Sequence, residues 1–86
     1  MKKGPEPDIH HASRLHQQGK VAEAAGIYRE IIADQPRNFD ANHLLGVALL
    51  QQGDAAGAEM QLRVALNINP VNAAAHNNYG NVLRAL

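Results

Sequence analysis

Residues 39–70 read FDANHLLGVALLQQGDAAGAEMQLRVALNINP, and this stretch decides the fold. From Asp40 to Gln52 the apolar residues Ala41, Leu44, Leu45, Ala48 and Leu49 recur at helical spacing. Gly53-Asp54 breaks the pattern. Glycine there takes the left-handed conformation that ends a helix, and Asp54 stands ready to cap the next one. That second helix gathers Ala55, Ala58, Leu62, Ala65 and Leu66 on one face. Asn67-Ile68-Asn69-Pro70 ends it, because the residue before a proline is pushed out of helical geometry. The stretch is therefore two helices joined by a tight turn.

Working outward, the pattern repeats. Sliding the chain along itself by 34 residues brings Leu15 onto Leu49 and Gln17-Gln18-Gly19 onto Gln51-Gln52-Gly53. The same offset pairs Ala22 with Ala56, Ala24 with Ala58, Arg29 with Arg63 and Pro36 with Pro70. It also pairs Asn38 with Asn72, Ala41 with Ala75, Gly46 with Gly80 and Leu49 with Leu83. Alanine matches are cheap in such a chain; aligned glycines and prolines carry more weight because they punctuate structure. The first unit follows the same scheme from about Pro7 to Gln35, with Gly19-Lys20 as its turn, and a third helix starts near Asn72 and runs to Leu86. The expectation is an all-α chain of five helices in one domain over residues 1–86. Repeat 1 spans 5–38 and repeat 2 spans 39–72. Residues 73–86 form the first helix of an incomplete third repeat, or a capping helix.

The 34-residue period with Leu-Gly, a large apolar residue, Ala-x-x-x-bulky and then Pro resembles the tetratricopeptide repeat. In the second unit Leu45-Gly46, Leu49, Ala58, Leu62, Ala65 and Pro70 fill the pattern. Ala12, Leu15, Ala24, Tyr28 and Pro36 fill it in the first unit, and Tyr79-Gly80 and Leu83 in the third. The first helix departs most, with His11-Ala12 in place of Leu-Gly; the family's tryptophan slot holds Asp8, Asn42 and His76. The resemblance implies a right-handed superhelix of antiparallel helix hairpins. Close packing explains the small residues: Ala12, Gly46 and Gly80 belong where a helix crosses its hairpin partner, with Ala24 and Ala58 in the facing slots. Leu15, Leu49, Tyr28 and Leu62 then fill the gaps. Gly26 and Gly57 sit inside second helices, where glycine costs roughly 1 kcal/mol against alanine.

Composition narrows the function. At 86 residues the core is small. Eight basic and eight acidic residues balance without a basic block, which argues against a nucleic-acid partner. There is no cysteine, so disulfides and thiolate metal sites are excluded. The five histidines, His10, His11, His16, His43 and His76, form no metal-binding spacing, and Ser13 is the sole serine, so no hydrolase triad can be assembled. No stretch approaches the roughly 20 apolar residues of a membrane span. The leader Met1-Lys2-Lys3-Gly4-Pro5-Glu6-Pro7-Asp8 lacks the apolar run of a signal peptide. We expect a cytoplasmic, non-enzymatic chain without cofactor, metal, nucleic acid or membrane.

What remains is surface. Stacked hairpins curve and present a concave face. The resemblance implies that first helices line it. Glu6, Ile9, Ser13 and His16 are the candidates from the first hairpin, and Asp40, His43, Val47 and Leu50 from the second. Asn77, Asn78, Asn81 and Arg84 come from the third helix. Of these, His43, Val47, Leu50, Asn77, Asn78, Asn81 and Arg84 are the expected peptide- or protein-binding residues. Val47 and Leu50 are apolar where a lone monomer meets solvent, unless their helix is sandwiched on all sides. Asparagine is a mediocre helix former, so three in one helix read either as tolerated surface or as donors and acceptors for a peptide main chain. The carboxylate clamp of some tetratricopeptide domains is not reproduced: its places hold Ile9, Ser13, Leu44, Ala74 and Asn78, and only Asn78 fits. The run Asn77-Asn78-Tyr79-Gly80-Asn81-Val82-Leu83-Arg84 also resembles the repeat arms of O-linked N-acetylglucosamine transferases, which implies, as an alternative, a substrate-recruiting arm of a larger enzyme. Lastly, about three repeats make a stable array. Tyr79, Val82, Leu83 and Leu86 therefore form an apolar stripe lacking a partner. It reads as the edge of a longer array, as a self-association surface giving a homo-oligomer or helix-swapped dimer, or as an adequate cap.

Overall fold

A computed structural model describes residues 7–86. Among these the chain forms five helices: α1 (Ile9–Gln17), α2 (Val21–Asp34), α3 (Phe39–Gln51), α4 (Ala55–Ile68) and α5 (Ala73–Ala85). Glu6, assigned above to the concave face, lies outside the described residues.

Local chemistry sets the boundaries. The two intra-hairpin turns are built on Gly19 and Gly53, whose φ angles of 83° and 86° are left-handed and favour glycine. Asp54 caps α4 as expected, accepting from the Gly57 amide at 2.9 Å. That cap also accounts for Gly57: a β-carbon there would run into the Asp54 carboxylate. Asn38 and Asn72, a pair in the repeat alignment, cap α3 and α5 by accepting from the Ala41 and Ala75 amides at 2.9 Å.

Packing follows from the small residues. Ala12, Ala24, Tyr28, Ala58 and Leu62 are fully buried in one core. α3 and α4 approach so closely that a β-carbon on Gly46 would lie 2.7 Å from Leu62 Cγ and 3.4 Å from the Ala58 carbonyl oxygen. The expected crossing at Gly46 is thus present. Gly80 differs: a β-carbon there meets nothing nearer than Arg84 Nη1 at 3.9 Å, so no partner helix crosses it among the described residues. α3 is the centre of the molecule, touching α1, α2, α4 and α5. No helix among the described residues is long and apolar enough to cross a membrane.

Two of the three residues in the tryptophan slot, Asn42 and His76, have a shared task that the sequence did not disclose. Buried Asn42 donates to the carbonyl oxygens of Pro36, at 3.1 Å, and Asn38, at 2.9 Å. His76 Nε2, one repeat later, donates to the Pro70 carbonyl at 2.7 Å. In both places a polar side chain one turn into a first helix ties down the proline loop that joins two hairpins.

Two glycines test this description. Gly46→Ala is expected to destabilise the protein by about 1–3 kcal/mol, because Leu62 is fully buried and has nowhere to move. Gly26 is exposed in α2, and a β-carbon there meets nothing within 4 Å, so Gly26→Ala is expected to stabilise by about 0.5–1 kcal/mol. Urea denaturation of both variants measures the two signs.

Candidate functional site

First helices touch one another, α1 with α3 and α3 with α5, whereas α2 and α4 do not meet. The hairpins therefore fan outward, and α1, α3 and α5 occupy the inner side of the curve.

Two hydrogen bonds pass from one hairpin to the next along this side, and each uses a histidine. His16 Nε2 lies 2.6 Å from Gln51 Oε1 on α3, while its Nδ1 lies 3.0 Å from the Tyr28 hydroxyl. An amide oxygen only accepts, so Nε2 donates to Gln51 and Nδ1 accepts from Tyr28. The Tyr28 hydroxyl is buried, and burial pushes its pKa up, so it stays a donor. In the second bond the roles reverse: His43 Nε2 accepts from Asn78 Nδ2 on α5 at 2.8 Å. Burial lowers the His43 pKa below its ordinary value, with the Asp40 carboxylate opposing the shift. The imidazole is neutral near pH 7, as an acceptor must be. The Phe39 ring stands beside it, tilted, with centroids 5.4 Å apart.

The structure sorts the expected binding residues. His43, Val47, Leu50, Asn78 and Asn81 are half-buried on or beside the inner face, and Asn77 and Arg84 are exposed. Val47 and Leu50 lie between the two readings: α3 touches four helices and Leu50 packs against the core, yet both side chains keep a part of their surface open. Asn81 Oδ1 accepts from Arg84 Nη2 within the same helix. Ile9, Ser13 and His16 are half-buried and Asp40 is exposed. Gln51, which fastens His16, escaped the sequence reading because nothing in its spacing distinguishes it from Gln52.

The self-association stripe needs a correction. Val82 is fully buried in the core, since α5 turns it inward against the preceding helices. It occupies the repeat position of buried Ala48, and that pairing was the signal available in the sequence. Tyr79 is half-buried, and its hydroxyl donates to Glu59 on α4 at 2.8 Å. That bond, followed by Arg63 at 3.1 and 3.2 Å, holds the Glu59 carboxyl below its usual range. Leu83 and Leu86 remain exposed, at 50% and 64%.

A cavity of about 420 Å³ lies elsewhere, between the start of α1 and the end of α2, lined by Pro7, Asp8, Ile9, Ile31, Gln35 and Asn38. Its one carboxylate, Asp8, already caps α1 by accepting from the His10 amide at 2.9 Å. Its other polar lining residues are paired with each other, Asn38 Nδ2 donating to Gln35 Oε1 at 2.9 Å, so we place the candidate site on the inner face.

A family model described as tetratricopeptide repeat matches residues 15–83, more than half of the chain. No curated protein matches the sequence.

Burial of His43 has a pH signature. The His43 pKa is lower folded than unfolded, so the folded chain binds fewer protons there. Its contribution is complete above the ordinary value of 6.5 and is lost as pH falls through the folded value. Urea midpoints compared near pH 7.5 and pH 5.5, on either side of the ordinary value of about 6.5, are expected to fall less in His43→Gln than in the parent chain.

Proposed function

The chain belongs to the tetratricopeptide repeat family, and from that premise we propose that its inner face grips the main chain of an extended peptide segment through Asn78 and Asn81. Repeats of this family are in general protein–protein interaction modules and are typically non-catalytic.

The observation that carries the reading is what these two amides leave unused. Each carbonyl oxygen offers two lone pairs and each NH₂ two donors. Asn78 uses Nδ2 on His43, which leaves Oδ1 to accept; Asn81 uses Oδ1 on Arg84, which leaves Nδ2 to donate. They stand three residues apart on α5, so they are neighbours on its surface. An acceptor and a donor side by side match the N–H and C=O of a peptide backbone. Their own orientations are fixed by His43 and Arg84, which lowers the ordering cost of binding. Half-buried Val47 and Leu50 supply apolar floor, and exposed Asn77 and Arg84 form the rim. A guanidinium on that rim favours a ligand with an acidic residue near it.

Peptides selected from a random display library on the parent chain are the probe. The double variant Asn78→Ala/Asn81→Ala is expected to bind them about tenfold more weakly or worse, since two hydrogen bonds of about 1 kcal/mol each are removed. Circular dichroism checks that the helices persist. Peptides that bind the double variant as tightly as the parent chain would refute the reading.

A further inference from the structure

We propose that a proton on His43 turns the Asn78 amide over, so that the inner face holds an extended peptide near neutral pH and releases it in acid. The switch rests on the peptide grip of Asn78 and Asn81 and adds its control.

Asn78 Nδ2 on α5 donates to His43 Nε2 on α3 at 2.8 Å. An imidazole nitrogen accepts only while it carries no proton. A proton arriving at Nε2 therefore sets two donors face to face. A half-turn of the Asn78 amide about its Cβ–Cγ bond relieves this, and that torsion is broad and roughly two-fold. The turn puts Oδ1 where Nδ2 stood, and the bond re-forms with the ring as donor. No helix has to move. The same turn carries Nδ2 to the groove, where Asn81 already offers its own Nδ2 because Arg84 holds its Oδ1. The acceptor and donor of the neutral site become two donors. A peptide N–H aimed at Asn78 then meets an NH₂ group in place of an oxygen, and an unmade hydrogen bond is expensive.

Only one of the five histidines is wired in this way. His10, His11 and His76 are exposed, and His76 already donates to the Pro70 carbonyl, a bond that a second ring proton leaves intact. His16 donates to Gln51 and accepts from Tyr28, and neither partner belongs to the peptide grip. Around His43 the one charge acting on the ring, among the described residues, is Asp40, one turn back on the same helix, which favours the proton. Phe39 sets an uncharged ring beside it and α5 brings the neutral Asn78; α1, α2 and α4 bring no charge that acts on it. Burial outweighs Asp40, so the proton arrives below the ordinary value of 6.5. The coupling is reciprocal: a bound peptide N–H holds Oδ1 outward and keeps the proton off His43, and the proton keeps the peptide off Asn78.

Library peptides selected on the parent chain near neutral pH are the probe, taken with blocked ends and without Asp, Glu or His, so that pH acts on the protein alone. Their dissociation constants are measured by fluorescence anisotropy from about pH 7.5 to about pH 5, with circular dichroism confirming the helices at each step. The parent chain is expected to lose affinity below the folded His43 value, by at most about tenfold per pH unit, the limit for one proton. His43→Gln, whose Oε1 accepts from Asn78 and takes no proton, is expected to keep in acid whatever affinity it has near neutral pH. A second measurement needs no variant: the His43 ring protons, followed by NMR, are expected to titrate at lower pH when peptide saturates the chain. Equal losses in the parent chain and His43→Gln, no loss in the parent chain, or a His43 titration that peptide leaves unmoved would each overturn the switch. Asn78→Ala/Asn81→Ala near neutral pH tells the two failures apart. If it weakens binding while the parent chain is indifferent to acid, the switch falls and the grip stands; if it does not, both fall.

Discussion

The contact on which this fold depends is the crossing of α3 and α4 at Gly46 and Leu62. Helices that approach this closely need a residue without a side chain on one of them, and a filled space opposite. Gly46 supplies the first condition and fully buried Leu62 the second. In the first hairpin the matching repeat positions hold Ala12 and Tyr28, both fully buried in the same core. Both members of that pair are larger than Gly46 and Leu62, so the first hairpin carries more side-chain volume at these positions. It also brings the Tyr28 hydroxyl to the edge of the core, where His16 meets it. Core composition and inner-face chemistry are therefore linked: a leucine at Tyr28 would leave the imidazole without this partner.

Much of this was legible in the residues because it rests on local rules. The turn glycines, the Asp54 cap and the Ala-x-x-x-bulky spacing each act within a few residues, and each is in place. Gly57 was legible as an anomaly but not as a solution, because its explanation is the Asp54 carboxylate folding back over the first turn of α4. Gly26 remains without a structural reason. The reading that failed concerns which side of a helix faces a neighbour. Val82 was placed on an open stripe by its apolar character, yet the repeat position it shares with Ala48 puts it inside. For Val47 and Leu50 the residues allow either a solvent-facing pair or a sandwiched helix, and the structure half-buries both.

The slot that holds tryptophan in related repeats shows how a sequence departure is absorbed. Asn42 and His76 are unlike in size and charge, yet each sends a donor to a proline carbonyl six residues earlier. Proline has no N–H to give, so its carbonyl is the one main-chain group of that residue that can anchor the loop. A buried asparagine satisfied in this way costs far less than an unsatisfied one. Residue type was therefore a poor guide at this position; donor placement was the constraint.

The inner face is held by two junctions that differ in kind. At α1–α3 the histidine donates to an amide oxygen, so an added proton does not remove that bond. At α3–α5 the histidine accepts, so a proton on Nε2 takes the place of the Asn78 donor. The second junction is also the one beside the proposed peptide-gripping amides. Asn78 is held in the orientation that exposes Oδ1 by donating its NH₂ group to His43. The free acceptor on the surface exists because a neutral imidazole, half-buried between two first helices, fixes the other end of the same amide. A glutamine or histidine at position 78 would not reproduce this geometry, since the first is longer and the second offers no fixed oxygen. The asparagine in α5 is thus explained by the helix beside it as much as by any ligand in front of it.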